Sequence, residues 1–125
     1  MEQVTGIGRV FFKARDPKRL SDWYREHLGI PTTDGYADFA WRERDRPNEI
    51  GRTVWSIFPA ETDYFGRSTS SFMLNYRVAN LERMLEQLRG AGIVIEKVED
   101  TDYGRFAWVM DPEGNRLELW EPKPA

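Results

Sequence analysis

The chain has no cysteine and a single histidine, His27, among its 125 residues. The first absence excludes a disulfide framework and any thiolate metal site. The second leaves little imidazole for a metal centre or for proton transfer. Long apolar runs are missing as well; none approaches the ~20 residues that cross a bilayer. The opening MEQVTGIGRV lacks a basic region followed by an apolar stretch, so no signal peptide is expected and a cytoplasmic location is. Excess positive charge is lacking too. A net charge of −3 gives no electrostatic reason to bind nucleic acid or an anionic membrane.

What the sequence holds in quantity is aromatic. Five Trp, seven Phe and five Tyr make up 14% of the chain. Five Trp exceed what a core of this size needs for packing, so some are expected to line a pocket. An apolar fraction of 40% beside a charged fraction of 31% fits a globular protein. The length suits one domain, 1–125.

One unit is written twice. VFFKARDPKRLSDWYREHLGI ends at Ile30, and LNYRVANLERMLEQLRGAGI ends at Ile93. Each reads as a strand, a capping residue (Asp16, Asn80), an amphipathic helix, a glycine stop and an isoleucine. Caps and stops lie 63–64 positions apart, which marks a duplicated module. Pro17 suits the first helical turn, where its missing N–H has no partner to lose. Leu20, Trp23, Tyr24, His27 and Leu28 follow helical spacing on one face, and His27 belongs there to the helix end, not to a site.

Strands are predicted over 7–14, 36–43, 53–59, 71–78, 93–99, 103–110 and 115–122, with a DPEG turn at 111–114. The charged stretch 44–50 reads as a surface loop. The order is β-α-β-β, then β-α-β-β-β, with one short strand of the first half unassigned. Module one spans about 5–59, a linker about 60–70, and module two about 71–122. The fold class is α+β.

Alternation sorts the side chains between two faces. Val10, Phe12 and Ala14 go with the helix, as do Leu74, Tyr76, Val78, Leu117 and Leu119. Arg9, Phe11, Met73, Asn75, Glu118 and Trp120 turn to the opposite face. Trp108 joins them, since Ala107 and Val109 are helix-facing. Trp41 and Trp55 stand in the outer strands of module one, where either face is open. The mixed polar and aromatic face suits a ligand cavity.

The pattern D–x–x–R–L–x–x–W–Y–R–E–x–L–G–I from Asp16 to Ile30, with DPEGN–R–L–E–L from Asp111, resembles the vicinal oxygen chelate superfamily. Its members include glyoxalase I, extradiol dioxygenases, fosfomycin-resistance enzymes and bleomycin-resistance proteins. The resemblance runs from about Ile7 to Pro122. It implies two βαβββ modules that form a curved, partly open barrel-like mixed sheet around a cavity, and a homodimer. It also implies where a divalent metal would be held. One ligand stands at the start of each module's first strand and a Glu late in the final strand.

Those positions are here Arg9, Met73 and Glu118. Arginine stays protonated and has no lone pair to give. Methionine is a soft thioether, poorly matched to Mg²⁺, Mn²⁺ or Fe²⁺. A catalytic metal needs about three protein ligands and an open position. No metal or other cofactor is therefore expected, and the Arg9 guanidinium is expected to pair with Glu118 in its place.

Three readings follow. In the first, the chain resembles the bleomycin-resistance group and binds a small aromatic or cationic molecule between Trp side chains, without a metal. Arg9, Phe11, Trp41, Trp55, Met73, Asn75, Trp108, Glu118 and Trp120 would form that site. In the second it is an enzyme: a lyase, isomerase or dioxygenase. That enzyme would use a divalent metal held by other ligands, or Arg9 to stabilise an oxyanion while the catalytic Glu118 moves a proton. In the third the cavity has closed and the domain is an interaction subunit. The broken ligand set favours the first.

Overall fold

The computed structural model describes residues 1–124. Its elements run β1 (Val4–Ala14), α1 (Pro17–Leu28), β2 (Tyr36–Arg42), β3 (Ile50–Pro59), β4 (Phe72–Val78), α2 (Leu81–Gly90), β5 (Lys97–Thr101), β6 (Gly104–Met110) and β7 (Arg116–Pro122). All seven strands join one mixed sheet of order β2-β3-β1-β4-β7-β6-β5. The sheet is curved and stays open. β2 and β5 are its edges.

The duplication shows in the register. β1 and β4 pair antiparallel at the centre, with Val10 opposite Leu74, its counterpart 64 positions on. β1 then pairs β3 in parallel and β4 pairs β7 in parallel. β2 and β6 close the two halves as antiparallel neighbours of β3 and β7. β5 has no counterpart strand in the first half, where Thr33 and Tyr36 form only an isolated bridge.

Both helices start where the sequence provides a cap. The Asp16 side chain accepts from the Arg19 amide, and the Asn80 side chain from the Arg83 amide. Such caps are worth about 1 kcal/mol each. The first helix ends on Gly29 in the left-handed region, φ 67°. α2 buries Leu81, Met84 and Leu85 against Val78, Ala107 and Leu119. Under α1, Tyr24 packs edge-on against Phe12 and Trp55.

Three strands, β1, β3 and β5, differ from the sequence prediction by more than one residue. β1 begins at Val4, and β3 at Ile50, because the Arg42–Ile50 pair extends the β2–β3 ladder into the charged stretch. The strand expected over 93–99 begins only at Lys97. The chain first turns at Gly92, and the Ile93 amide donates to the Leu88 carbonyl at the helix end. Ile95 then packs into the α2 core before pairing starts. Apolar Ile93–Val94–Ile95 has β propensity, but closing the helix end takes precedence. Among the described residues, no helix is long and apolar enough to cross a membrane.

Candidate functional site

A single row of side chains crosses four strands on the face opposite the helices. Arg9 of β1 lies opposite Asn75 of β4, Asn75 opposite Glu118 of β7, and Glu118 opposite Trp108 of β6. A β-bulge aims the first of these. The β1–β4 register shifts between Ile7 and Arg9, which leaves Gly8 as the extra residue. Gly8 has to be glycine: a Cβ there would stand 2.2 Å from Asn75 Oδ1 and 2.8 Å from the Trp120 ring.

Glu118 is fully buried. Asn75 Nδ2 donates to one of its oxygens at 2.6 Å. Trp108 Nε1 donates to the other at 2.9 Å, and the Tyr64 hydroxyl donates to that same oxygen. Three neutral donors thus satisfy an acceptor-only group whose burial is otherwise costly. Burial, together with the Glu118 carboxylate it donates to, pushes the Tyr64 phenol above its ordinary pKa. Tyr64 therefore keeps its proton and acts as a donor.

The expected ion pair between Arg9 and Glu118 does not form. Asn75, Trp108 and Tyr64 have taken both carboxylate oxygens. The guanidinium instead lies 4.9 Å from the Phe106 ring centroid, 5.2 Å from Trp120 and 5.8 Å from Phe11. Contacts of this kind are worth about 0.5–1 kcal/mol when exposed and more when desolvated. Arg9 Nε is buried without a hydrogen-bond partner. Behind it Trp108, Phe106 and Trp120 form a stack, with centroids 6.0 and 5.8 Å apart and planes tilted by 19° and 7°. The Trp120 indole N–H donates to the Tyr103 carbonyl, fixing the far ring.

A small cavity of about 150 Å³ opens against this group, with Arg9, Tyr64, Phe106 and Trp108 in its wall and Lys97, Glu99 and Tyr103 nearer its rim. Larger grooves exist, one beside the start of α1 among Lys13, Arg15, Leu20 and Trp23, but it includes none of the row.

The other predicted site residues divide. Phe11 and Met73 face each other one register step away and pack with Phe65 in a separate apolar cluster. Tyr64 joins the two clusters, 5.8 Å from Phe11. Trp41 is elsewhere: its ring covers Gly6 and Gly51, its N–H donates to the Thr53 hydroxyl, and Arg77 sits 5.7 Å from it. Trp55 is a correction. It packs on Tyr24 and Phe12 beneath α1, on the helix-facing side, because Val10 is its register partner.

Two residues not singled out by the sequence, Tyr64 and Phe106, also belong to the site. Phe106 was recoverable, since it shares the parity of Trp108. Tyr64 sat in a stretch read only as a linker. The signal was its pairing with Phe65 inside a polar loop: adjacent aromatics there must be buried somewhere.

The chemistry of the row does not fit a divalent cation. Glu118 is its only anionic donor, and both oxygens are engaged. A guanidinium occupies the neighbouring position. Among the described residues, no three His, Cys, Asp or Glu side chains come together as ligands.

Two modules curved around one decorated face define a class of small α+β proteins. The chain belongs to the glyoxalase-like domain family, whose profile matches residues 9–120, and so to the vicinal oxygen chelate superfamily. No match is found among curated protein sequences. Solved structures share the fold. Methylmalonyl-CoA epimerase from Streptomyces coelicolor superposes with a TM-score of 0.69 at 12% identity, covering 98% of this chain and 100% of that one. The epimerase from Mycobacterium tuberculosis gives 0.62 at 20% identity, with 97% and 90% covered. A catechol 2,3-dioxygenase gives 0.58 at 22% identity, where 98% of this chain matches 40% of that one.

Proposed function

We propose that this protein binds a small planar molecule on the strand face opposite its helices, without a catalytic metal. One observation carries the reading: an aromatic stack and an unpaired arginine meet at the wall of one small cavity. A ring packed in the cavity against Tyr64, Phe106 and Trp108 gains area burial plus about 0.5–1.5 kcal/mol per aromatic contact, edge contacts included. A volume of about 150 Å³ holds roughly five waters' worth of space, which suits a single ring and its substituents.

Glu118 serves this site as a brace. A general base needs a free lone pair aimed at the substrate. Glu118 is fully buried and its two oxygens are held by Asn75, Trp108 and Tyr64, so no lone pair is aimed at the cavity. Its role is to hold the Trp108 ring and the Tyr64 hydroxyl in place. Homodimerisation belongs to the same proposal and is read directly by native mass spectrometry.

The test uses ¹⁵N-labelled protein and three single-ring probes: benzoate, benzyl alcohol and benzylammonium. The indole N–H signals of Trp108 and Trp120 report binding. At least one probe should shift them saturably. If none of the three moves either signal at millimolar concentration, this reading is wrong.

A further inference from the structure

The geometry points to an anionic ligand: a planar molecule whose carboxylate, or comparable oxyanion, is received by Arg9. This rests on the small-molecule reading above and narrows it.

Among the described residues Arg9 forms neither an ion pair nor a side-chain hydrogen bond, and its Nε is buried without a partner. A guanidinium carries five N–H donors in a planar fork that matches a carboxylate. Leaving the buried Nε donor unmade is costly, and pairing it with an anion removes that cost. Elsewhere in the protein, arginines near the same face are matched. Arg116 meets Glu96 and the Tyr64 carbonyl, and Arg77 meets Glu43 at 3.9 Å.

The nearby carboxylate does not answer this need. Glu118 is sealed behind Asn75, Trp108 and Tyr64. Fully buried there, it offers a cationic ligand no accessible oxygen. The aromatic faces are covered as well: Arg9 lies over Phe106 and Trp120, while Lys97 and Arg116 lie over Trp108 at 5.3 and 5.6 Å. A cationic guest would have to displace these side chains. An anion would join Arg9 and meet Lys97 at the rim. The Lys97–Glu99 pair, 2.9 Å apart, is solvent-exposed on both sides and screens that lysine only in part. The cationic ligand expected from a Trp cage with a carboxylate is thus reversed by where the protein's own cations sit.

The experiment ranks the same three probes by charge. Benzoate should bind wild-type protein about tenfold or more tightly than benzylammonium or benzyl alcohol, as one charge-assisted pair implies. Its affinity should fall by about the same factor in Arg9→Gln, and also with rising salt. Arg89→Gln, on exposed α2 surface, should leave it unchanged. The charge ranking on wild-type protein needs no variant to fold. Benzylammonium or benzyl alcohol binding as well as benzoate would overturn the anion inference while leaving the small-molecule reading intact. So would an Arg9→Gln protein, folded by its amide spectrum, that binds benzoate unchanged. Silence from all three probes would remove both.

Discussion

Arg9 and Glu118 stand two strands apart in one register row, with Asn75 between them, and they do not pair. The carboxylate looks inward to three neutral donors and the guanidinium lies over aromatic rings. Separating the two charges leaves the cation available to a ligand and makes the anion part of the framework.

Glu118→Gln tests the framework role. The amide places an NH₂ group either against Trp108 Nε1, which can only donate, or against Asn75, which must then turn its Oδ1 inward and give up the orientation that Gly8 packs against. Stability should fall by about 1–3 kcal/mol, the usual cost of a buried polar group left unmatched. Urea unfolding of wild type and variant gives the difference directly. An unchanged midpoint would show that the three donors contribute nothing.

Tyr64 supplies a pH dependence of definite sign. Its folded-state pKa lies above the ordinary tyrosine value of about 10. Above that pH the unfolded chain releases a proton that the folded chain retains. The contribution is therefore complete below about pH 10 and is lost as pH rises further. Unfolding free energy measured from pH 8 upward should decline more steeply in wild type than in Tyr64→Phe. Parallel curves would contradict the assignment.

Gly8→Ala probes the bulge. The added methyl meets Asn75 Oδ1 and the Trp120 ring, so Asn75 must move off Glu118 or the strand must shift. The expected loss is about 1–3 kcal/mol, as for overpacking elsewhere. It should be accompanied by a changed Trp108 indole N–H signal. A variant with wild-type stability and spectrum would mean the close approach has no consequence.

Trp55 and Trp108 should separate in function. Trp55→Phe thins the packing beneath α1 and should lower stability while leaving probe binding intact. Trp108→Phe removes both a cavity wall and a donor to Glu118, so it should weaken probe binding as well. Equal effects of the two on binding would contradict their placement on opposite faces.

Much of this was legible in the chain. The caps at Asp16 and Asn80 and the spacing between repeats gave both helices and the order of elements along the chain. Alternation placed Asn75, Glu118, Trp108 and Trp120 on one face. The limits have physical causes. Alternation fails at a bulge, so the crowding of Gly8 on Asn75 was invisible, though Arg9 still landed on the correct face. Alternation alone does not say which face of β3 turns toward α1; the pairing of Trp55 with Val10 decides it, and that register is not written in the sequence. The Arg9–Glu118 pair was inferred from charge alone. Composition does not reveal that a tyrosine from a distant loop arrives first at the carboxylate.

The central claim is that a guanidinium and a braced carboxylate stand where relatives of this superfamily are expected to hold an ion. Purified protein incubated with Mn²⁺, Ni²⁺ and Zn²⁺, desalted, and analysed for metal by mass spectrometry tests it most directly. The account predicts background metal only, in wild type and Glu118→Ala alike. One ion per chain in wild type, lost in Glu118→Ala, would contradict it.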